Sequence, residues 1–266
     1  AMDGKDAGST LDDLWAQVAF SSLETPWGGV LTIEIEDSGA HLNLNALVPQ
    51  GLPKQGEEAS LESQASEEAQ EFLREFLDKV IREVEPTEGE EVIYDPRELA
   101  RNLIDYLDAD DIALGGRHED DYYQGQKPPY KPANGPMLSV EEIAMVEGFD
   151  ARLAEAIKPY ITVYPLLGEV GINVNTAPSH VLALLYFGSS GDMRLASEDV
   201  VVDIMKLRED GRFVCSKTER DPEKCVSLSE VGLGEGAIFP PVDLPQTTLV
   251  FKVTSRGKVN EVVQKI

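Results

Sequence analysis

No stretch of this 266-residue chain holds eighteen consecutive apolar residues, so nothing in it reads as a membrane-spanning helix. No signal peptide is visible. The opening AMDG has the look of a cloning remnant, and an N-terminal anchor is expected to have been removed ahead of it. Positive charge is scarce: 23 basic residues face 49 acidic ones, a formal charge of −26. That field repels phosphate backbones and anionic membrane surfaces, which argues against nucleic-acid binding, and it does not disfavour cations such as calcium. The three histidines, His41, His118 and His180, are far apart in sequence, and no G-x-S-x-G, H-E-x-x-H or G-x-x-x-x-G-K motif occurs. Catalysis therefore finds little support.

There are two cysteines, Cys215 and Cys225, in the polar segment CSKTERDPEKC. Zinc wants four ligands, and no histidine or third cysteine lies nearby. A redox pair would be more closely spaced. Two unrelated reduced thiols are the plain alternative. The reading adopted is a disulfide, worth roughly 2.5–3 kcal/mol by chain entropy, and with it an oxidising compartment.

What is present is ample material for a core. Apolar residues make up 42 % of the chain, enough for one large domain or two small ones. One short phrase occurs twice, LNLNAL at 42–47 and INVNTAP at 172–178. Each alternates apolar residues with asparagine, which suits strand ends and caps better than strand interiors. In the second copy Asn175 or Thr176 is expected to cap a helix over SHVLALLYF, with Pro178 in its early turn.

The elements around these phrases are readable. Residues 9–20 suggest an amphipathic helix with Leu11, Leu14, Trp15 and Val18 on one face. VLTIEIEDSGAHLNLNAL reads as a hairpin turning at DSG, and residues 49–66 as a loop. Residues 67–84 and PRELARNLIDYLDADD are helices, the first buried through Phe72, Leu73, Phe76, Val80 and Ile81. A polar loop runs from about 108 to 136, before LSVEEIAMV with Ser139 and Glu142 in a capping box. SEDVVVDIMKLREDG is a helix with a glycine stop, and the chain closes on a second hairpin turning at RGK. Each asparagine phrase is followed by a helix, a second helix, a loop and a short capped turn. That order implies a duplicated helical module and an α+β class.

The segment DYLDADDIALGGRHEDDYY concentrates Asp108, Asp110, Asp111, Glu119, Asp120 and Asp121. Two such clusters joined by Gly115 and Gly116 can fold back around one calcium ion or two, since calcium takes six to eight oxygens. A solvated acidic loop is the alternative, and the EF-hand spacing is absent. Glu219, Asp221 and Glu223 form a weaker second cluster. INVNTAP followed by LREDGRF and LSEV has some likeness to a helix-hairpin-helix module, but the glycine match is loose and the field acidic.

In this order LIDYLDADD, EDDYY, PPYKPANGPMLSVEEIAMVEG and INVNTAPSHVLALL resemble the general secretion pathway protein K family, minor pseudopilins of type II secretion. The resemblance runs from about residue 28 to 235. It implies a pilin-like scaffold, an N-terminal helix on a small antiparallel sheet, carrying a large inserted helical domain of two sterile-alpha-motif-like modules. Residues 1–45 and 236–266 would form the scaffold, and 46–235 the insert, with modules of about 46–160 and 161–235. It also implies a place at the tip of the periplasmic pseudopilus, where the protein helps to initiate assembly. The partners would be minor pseudopilins I and J, the missing N-terminal helix would sit in the inner membrane, and the helical domain would bind calcium. The competing reading is a stand-alone calcium-dependent extracellular binding protein.

Overall fold

Residues 29–37 alternate Leu31, Ile33 and Ile35 with Thr32, Glu34 and Glu36, the pattern of a strand with one apolar face. The computed structural model describes residues 9–17, 20–26, 28–48, 59–84, 93–166, 171–189, 191–215, 223–234, 236–241, 247–259 and 262–265. Its elements in chain order are α1 (Leu14–Gln17), β1 (Phe20–Glu24), β2 (Gly29–Asp37), β3 (Leu42–Asn43), α2 (Ala59–Glu83), α3 (Pro96–Leu107), α4 (Asp120–Gln124), α5 (Ala151–Ile157), β4 (Ile161–Thr162), α6 (Ser179–Leu182), β5 (Tyr186–Gly188), β6 (Arg194–Leu195), α7 (Glu198–Glu209), β7 (Phe213–Val214), β8 (Cys225–Val226), β9 (Ala237–Phe239), β10 (Phe251–Val259) and β11 (Val262–Lys265). Among the described residues no helix is long and apolar enough to cross a membrane.

The main sheet is antiparallel, in the order β1-β2-β10-β11. Both ends of the chain therefore share one sheet, and the helical part leaves and returns between β2 and β10. The register places Val253 opposite Ile35, with Lys252 opposite Glu36 and Thr254 opposite Glu34. One face is thus apolar. The other carries cross-sheet ion pairs, Lys252 to Glu36 at 3.0 Å and Arg256 to Glu34 at 3.1 Å. Such exposed pairs add about 0–1 kcal/mol each and serve chiefly to fix register.

The predicted hairpin over 30–47 is not formed. β2 turns back on β1 through Thr25, whose N–H donates to the Gly29 carbonyl at 2.7 Å, with Gly28 in the left-handed region. At the other end the Asp37 carboxylate accepts the Gly39 N–H at 2.8 Å and starts a 3₁₀ turn, so the chain leaves the sheet instead of reversing. β3 then pairs with β4 in parallel. RGK lies inside β10, not at a turn, because β10 runs on to Val259 opposite Gly29. The predicted helix over 9–20 is reduced to Leu14–Gln17, and Phe20 already belongs to a strand. Trp15 packs on Phe251 with ring centroids 5.1 Å apart, while Leu11 and Leu14 are exposed. Val18 lies outside the described residues. The segment read as a loop over 49–66 is helical from Ala59 onward.

The core lies in the helical part. α2 buries Phe72, Leu73, Phe76, Leu77 and Val80, one apolar stripe at helical spacing, against α3. α3 starts on Pro96, with the Asp95 carboxylate accepting the Arg97 and Glu98 N–H groups, and buries Leu99, Leu103, Ile104 and Leu107. Capping boxes form at Ser139 with Glu142 and at Ser227 with Glu230, each opening a 3₁₀ turn. Cys215 and Cys225 are joined in a disulfide beside the parallel pair of β7 and β8.

The repeated asparagine phrase has a structural meaning. The first asparagine of each copy turns the chain: Asn43 Oδ1 accepts the Asn45 N–H, and Asn173 Oδ1 accepts the Asn175 N–H, both at 3.1 Å. The second asparagine clamps distant backbone with both ends of its amide. Asn45 accepts from Met137 N–H at 2.8 Å and donates to the Met137 and Val163 carbonyls. Asn175 accepts from Val214 N–H at 2.7 Å and donates to the Val214 carbonyl at 2.9 Å. Neither Asn175 nor Thr176 caps a helix, as the sequence suggested, because both side chains are spent on long-range bonds. α6 is four residues long and begins after Pro178 without a side-chain cap.

Replacing Asn175 or Asn45 by alanine strands buried backbone groups, each costing about 1–3 kcal/mol. Each variant should lose roughly 2–4 kcal/mol of stability in denaturant titration. A loss under about 0.5 kcal/mol would show that the clamps are not structural.

Candidate metal centre

Three carboxylates meet where α3 ends. Asp105 and Asp108 are three residues apart and lie on one side of the helix end. Asp108 is the last cap residue, its N–H donating to the Ile104 carbonyl at 2.9 Å. The chain then doubles back. Ala113 N–H donates to the Arg117 carbonyl at 3.0 Å, Gly116 turns in the left-handed region, and Ile112 bridges His118. This return sets Glu119 against Asp105 and Asp108, and one carboxylate oxygen from each of the three lies within 4.8 Å of the others.

The electrostatics of this cluster are unfavourable as it stands. Glu119 is only 3 % exposed. Both of its oxygens are buried without a hydrogen-bond partner, as is Oδ1 of Asp108. Burial is the largest cause pushing each acid upward, Asp105 to about 6, Asp108 to about 7 and Glu119 to about 8. Neighbouring carboxylates add to this, Asp110 and Asp105 on Asp108, and Asp108 and Asp105 on Glu119. Asp105 is partly relieved by the Leu114 N–H, which donates to it at 2.9 Å, and by the Arg117 charge. Arg117 itself pairs with Glu147. A buried carboxylate with no donor is stable only when a proton or a cation supplies the missing positive charge.

The surroundings hold the cluster in place. α4 follows Glu119 directly, and its Tyr123 is buried against Tyr106, Tyr122 and Tyr130, with ring centroids 5.1–5.9 Å away. Asn102 Nδ2 donates to the Glu147 carbonyl at 3.1 Å, tying the partner of Arg117 back to α3.

Of the residues singled out in the sequence, Asp108 and Glu119 come together. Asp110 accepts the Ile112 N–H at 2.8 Å and shapes the turn. Asp111 faces Asn134, whose Nδ2 lies 3.4 Å from its Oδ1 and donates to the Asp110 carbonyl at 2.6 Å. Asp120 pairs with Lys131 at 3.4 Å, and Asp121 is exposed on α4. His118 is exposed. Asp105 was missed because it reads as an ordinary helix residue; its spacing to Asp108 was the available signal. Of the second cluster, Glu219 and Asp221 lie outside the described residues and Glu223 is exposed.

The donor set is all oxygen. That fits a hard cation and does not fit zinc, which prefers nitrogen and sulfur. Three carboxylates can offer up to six oxygens, within reach of the six to eight that calcium takes.

The family model of type II secretion system protein K, first domain, matches residues 40–166, the region that contains this cluster. Over this region, just under half of its length, the chain is similar to the type II secretion system protein K family. The protein K of Aeromonas hydrophila is 36 % identical over 93 residues, which is 35 % of this chain and 28 % of that protein. The protein K of Pectobacterium carotovorum is 27 % identical over 175 residues, 66 % of this chain and 48 % of that protein. The matched part thus spans less than half the length of these protein K relatives. In fold, a chain of the crystal structure of the GspK-GspI-GspJ complex from enterotoxigenic Escherichia coli superposes with a TM-score of 0.62. The superposition covers 99 % of this chain and 80 % of that one at 19 % identity.

The raised acids set a direction for stability against pH in metal-free protein. Each binds its proton more tightly folded than unfolded. Their folded-state advantage is therefore full below pH about 4 and is lost as pH rises through about 6, 7 and 8. In chelator, the melting temperature of the wild type should fall over this window relative to Asp108→Asn with Glu119→Gln, which removes the titrating pair. Parallel pH profiles for the two proteins would contradict the arrangement.

Proposed function

We propose that this chain is the periplasmic part of a minor pseudopilin of the type II secretion system, with no catalytic activity. It would sit at the pseudopilus tip, cap the fibre and help to initiate its assembly. The native protein would be anchored by an N-terminal helix in the inner membrane. Its scaffold is read as pilin-like, residues 1–45 and 236–266, and residues 46–235 as an insert of two sterile-alpha-motif-like modules. The observation that carries this reading is the pairing of β2 with β10: the two ends of the chain build one small sheet, and everything between them projects from one place on it. A bulky lateral domain of this kind is hard to bury inside a fibre and is compatible with its end. The related structure is a complex named for K, I and J, which supports the same partners here.

The insert is proposed to hold calcium. Asp105, Asp108 and Glu119 would be its carboxylate ligands, and the orphaned oxygens of Asp108 and Glu119 support this. The bound ion supplies the positive charge that these buried groups lack. Its role is structural: it fastens the return of the 108–119 loop onto the end of α3. The alternative of a stand-alone calcium-dependent binding protein shares this site and differs in its partners.

Two measurements test the reading. Isothermal titration of chelator-treated protein with calcium should show uptake and a raised melting temperature. Glu119→Gln should weaken it at least about tenfold, the loss that even an outer-shell change produces. An unchanged melting temperature in excess calcium would remove the metal from the proposal.

Separately, the purified soluble domains of minor pseudopilins I and J should form a ternary complex with this chain in size-exclusion chromatography with light scattering. This chain alone should run as a monomer, because its net charge opposes self-association. If no ternary complex forms at micromolar concentration with calcium present, the tip-complex reading fails.

A further inference from the structure

Basic residues are rare in this chain, yet three arginines border one cleft. Arg74 of α2 and Arg97 and Arg101 of α3 line it together with Glu67, Gln70 and Glu71, around a volume of about 200 Å³. Arg97 and Arg101 are one helical turn apart on the exposed side of α3. Arg74 is already engaged, with Glu71 at 2.5 Å and with Glu75. Among the described residues, neither Arg97 nor Arg101 has a carboxylate at ion-pair distance, although the chain as a whole carries 49 acids. Two guanidinium forks border the same space with no carboxylate at ion-pair distance from either, although the Glu71 charge already acts on Arg97 from further away; both remain placed to take carboxylates, which they match with two parallel hydrogen bonds.

We propose that this cleft binds an acidic peptide segment of a partner protein, two of its Asp or Glu side chains meeting Arg97 and Arg101. The lining sets the class of ligand. Glu67 and Glu71 on the facing side limit how much negative charge the cleft accepts, and the field of the whole chain repels nucleic acid and other polyanions. A peptide bringing two single charges meets both limits. The cleft lies on the α2–α3 pair, built from residues other than the carboxylate cluster, so the proposal stands apart from calcium and from pseudopilus assembly.

The probe is a fluorescein-labelled Gly-Ser peptide carrying two adjacent glutamates, with the same peptide carrying glutamines as control. Fluorescence anisotropy at low salt should show saturable binding of the glutamate peptide alone, weakening as salt is raised. The Arg97→Ala, Arg101→Ala protein should bind at least about tenfold more weakly, as expected for the loss of hydrogen bonds to charged groups. Its melting temperature should be unchanged, since both side chains are exposed. Arg97→Glu with Arg101→Glu should reverse the preference and take a lysine peptide instead. Equal binding of the glutamine peptide, no binding at millimolar concentration, or an unaltered affinity in the double alanine protein would each overturn the proposal. Displacement of the glutamate peptide by inorganic phosphate at lower concentration than by acetate would overturn the choice of carboxylate.

Discussion

The carboxylate of Asp37 joins the two halves of this molecule. It lies at the end of β2, 2 % exposed, and takes three donors: the Gly39 N–H at 2.8 Å, Asn173 Nδ2 at 3.0 Å and Thr176 Oγ1 at 2.7 Å. A buried carboxylate is tolerable only when its oxygens find donors, and these three bonds give a donor to each oxygen. Through them the last residue of the sheet strand grips the second asparagine phrase 136 residues further on. The same Asn173 amide reaches the Ser9 carbonyl at 3.4 Å, and Ser9 Oγ in turn accepts the Thr248 N–H at 2.8 Å. The start of the chain, the sheet, the helical part and the approach to β10 thus meet at one polar knot. The apolar core fills the helical part, from Ala40 through α2 and α3 to Ile172, Val174 and Leu233, and so borders this knot on the side away from the sheet strands.

A second polar centre behaves in the opposite way. At Asp37 the donors come from the protein. At Glu119 the protein supplies none, and the acids there are held close by Tyr123 packing and by the turn at Gly116. The fold accepts the repulsion because the tyrosine cluster and the Arg117–Glu147 pair brace the loop from outside. Among the described residues, the contrast between the satisfied Asp37 and the unsatisfied Glu119 separates a structural acid from a candidate ligand more clearly than composition can.

Helical features were readable from sequence because their signals are local. The stripe on α2, the Asp95–Pro96 start of α3, and the capping boxes at Ser139 and Ser227 each depend on residues within one or two turns. The recurrence of the asparagine phrase was also readable, though not its purpose, since the clamps on Met137 and Val214 are long-range. The sheet was less legible. β2 has a clear alternation, but nothing in it tells whether the following segment or one more than 200 residues away will pair with it. The site fell between these cases. The acidic loop stood out by composition, Asp108 and Glu119 were among its members, and Asp105 was hidden inside a helical pattern that accounted for it without any ligand role.

The Ser38 N–H donates to the Val250 carbonyl at 2.9 Å, immediately beside the pairing of Asp37 with Phe251. The points at which the chain departs from the sheet and rejoins it are therefore hydrogen-bonded neighbours. From the standpoint of the sheet, the long helical excursion is topologically equivalent to a short connecting loop. Its length adds little to the closure entropy, which grows only logarithmically, and its own core offsets the ordering of its residues. The strand order of the sheet is thus set by where the chain leaves and returns, whatever length lies between the two points.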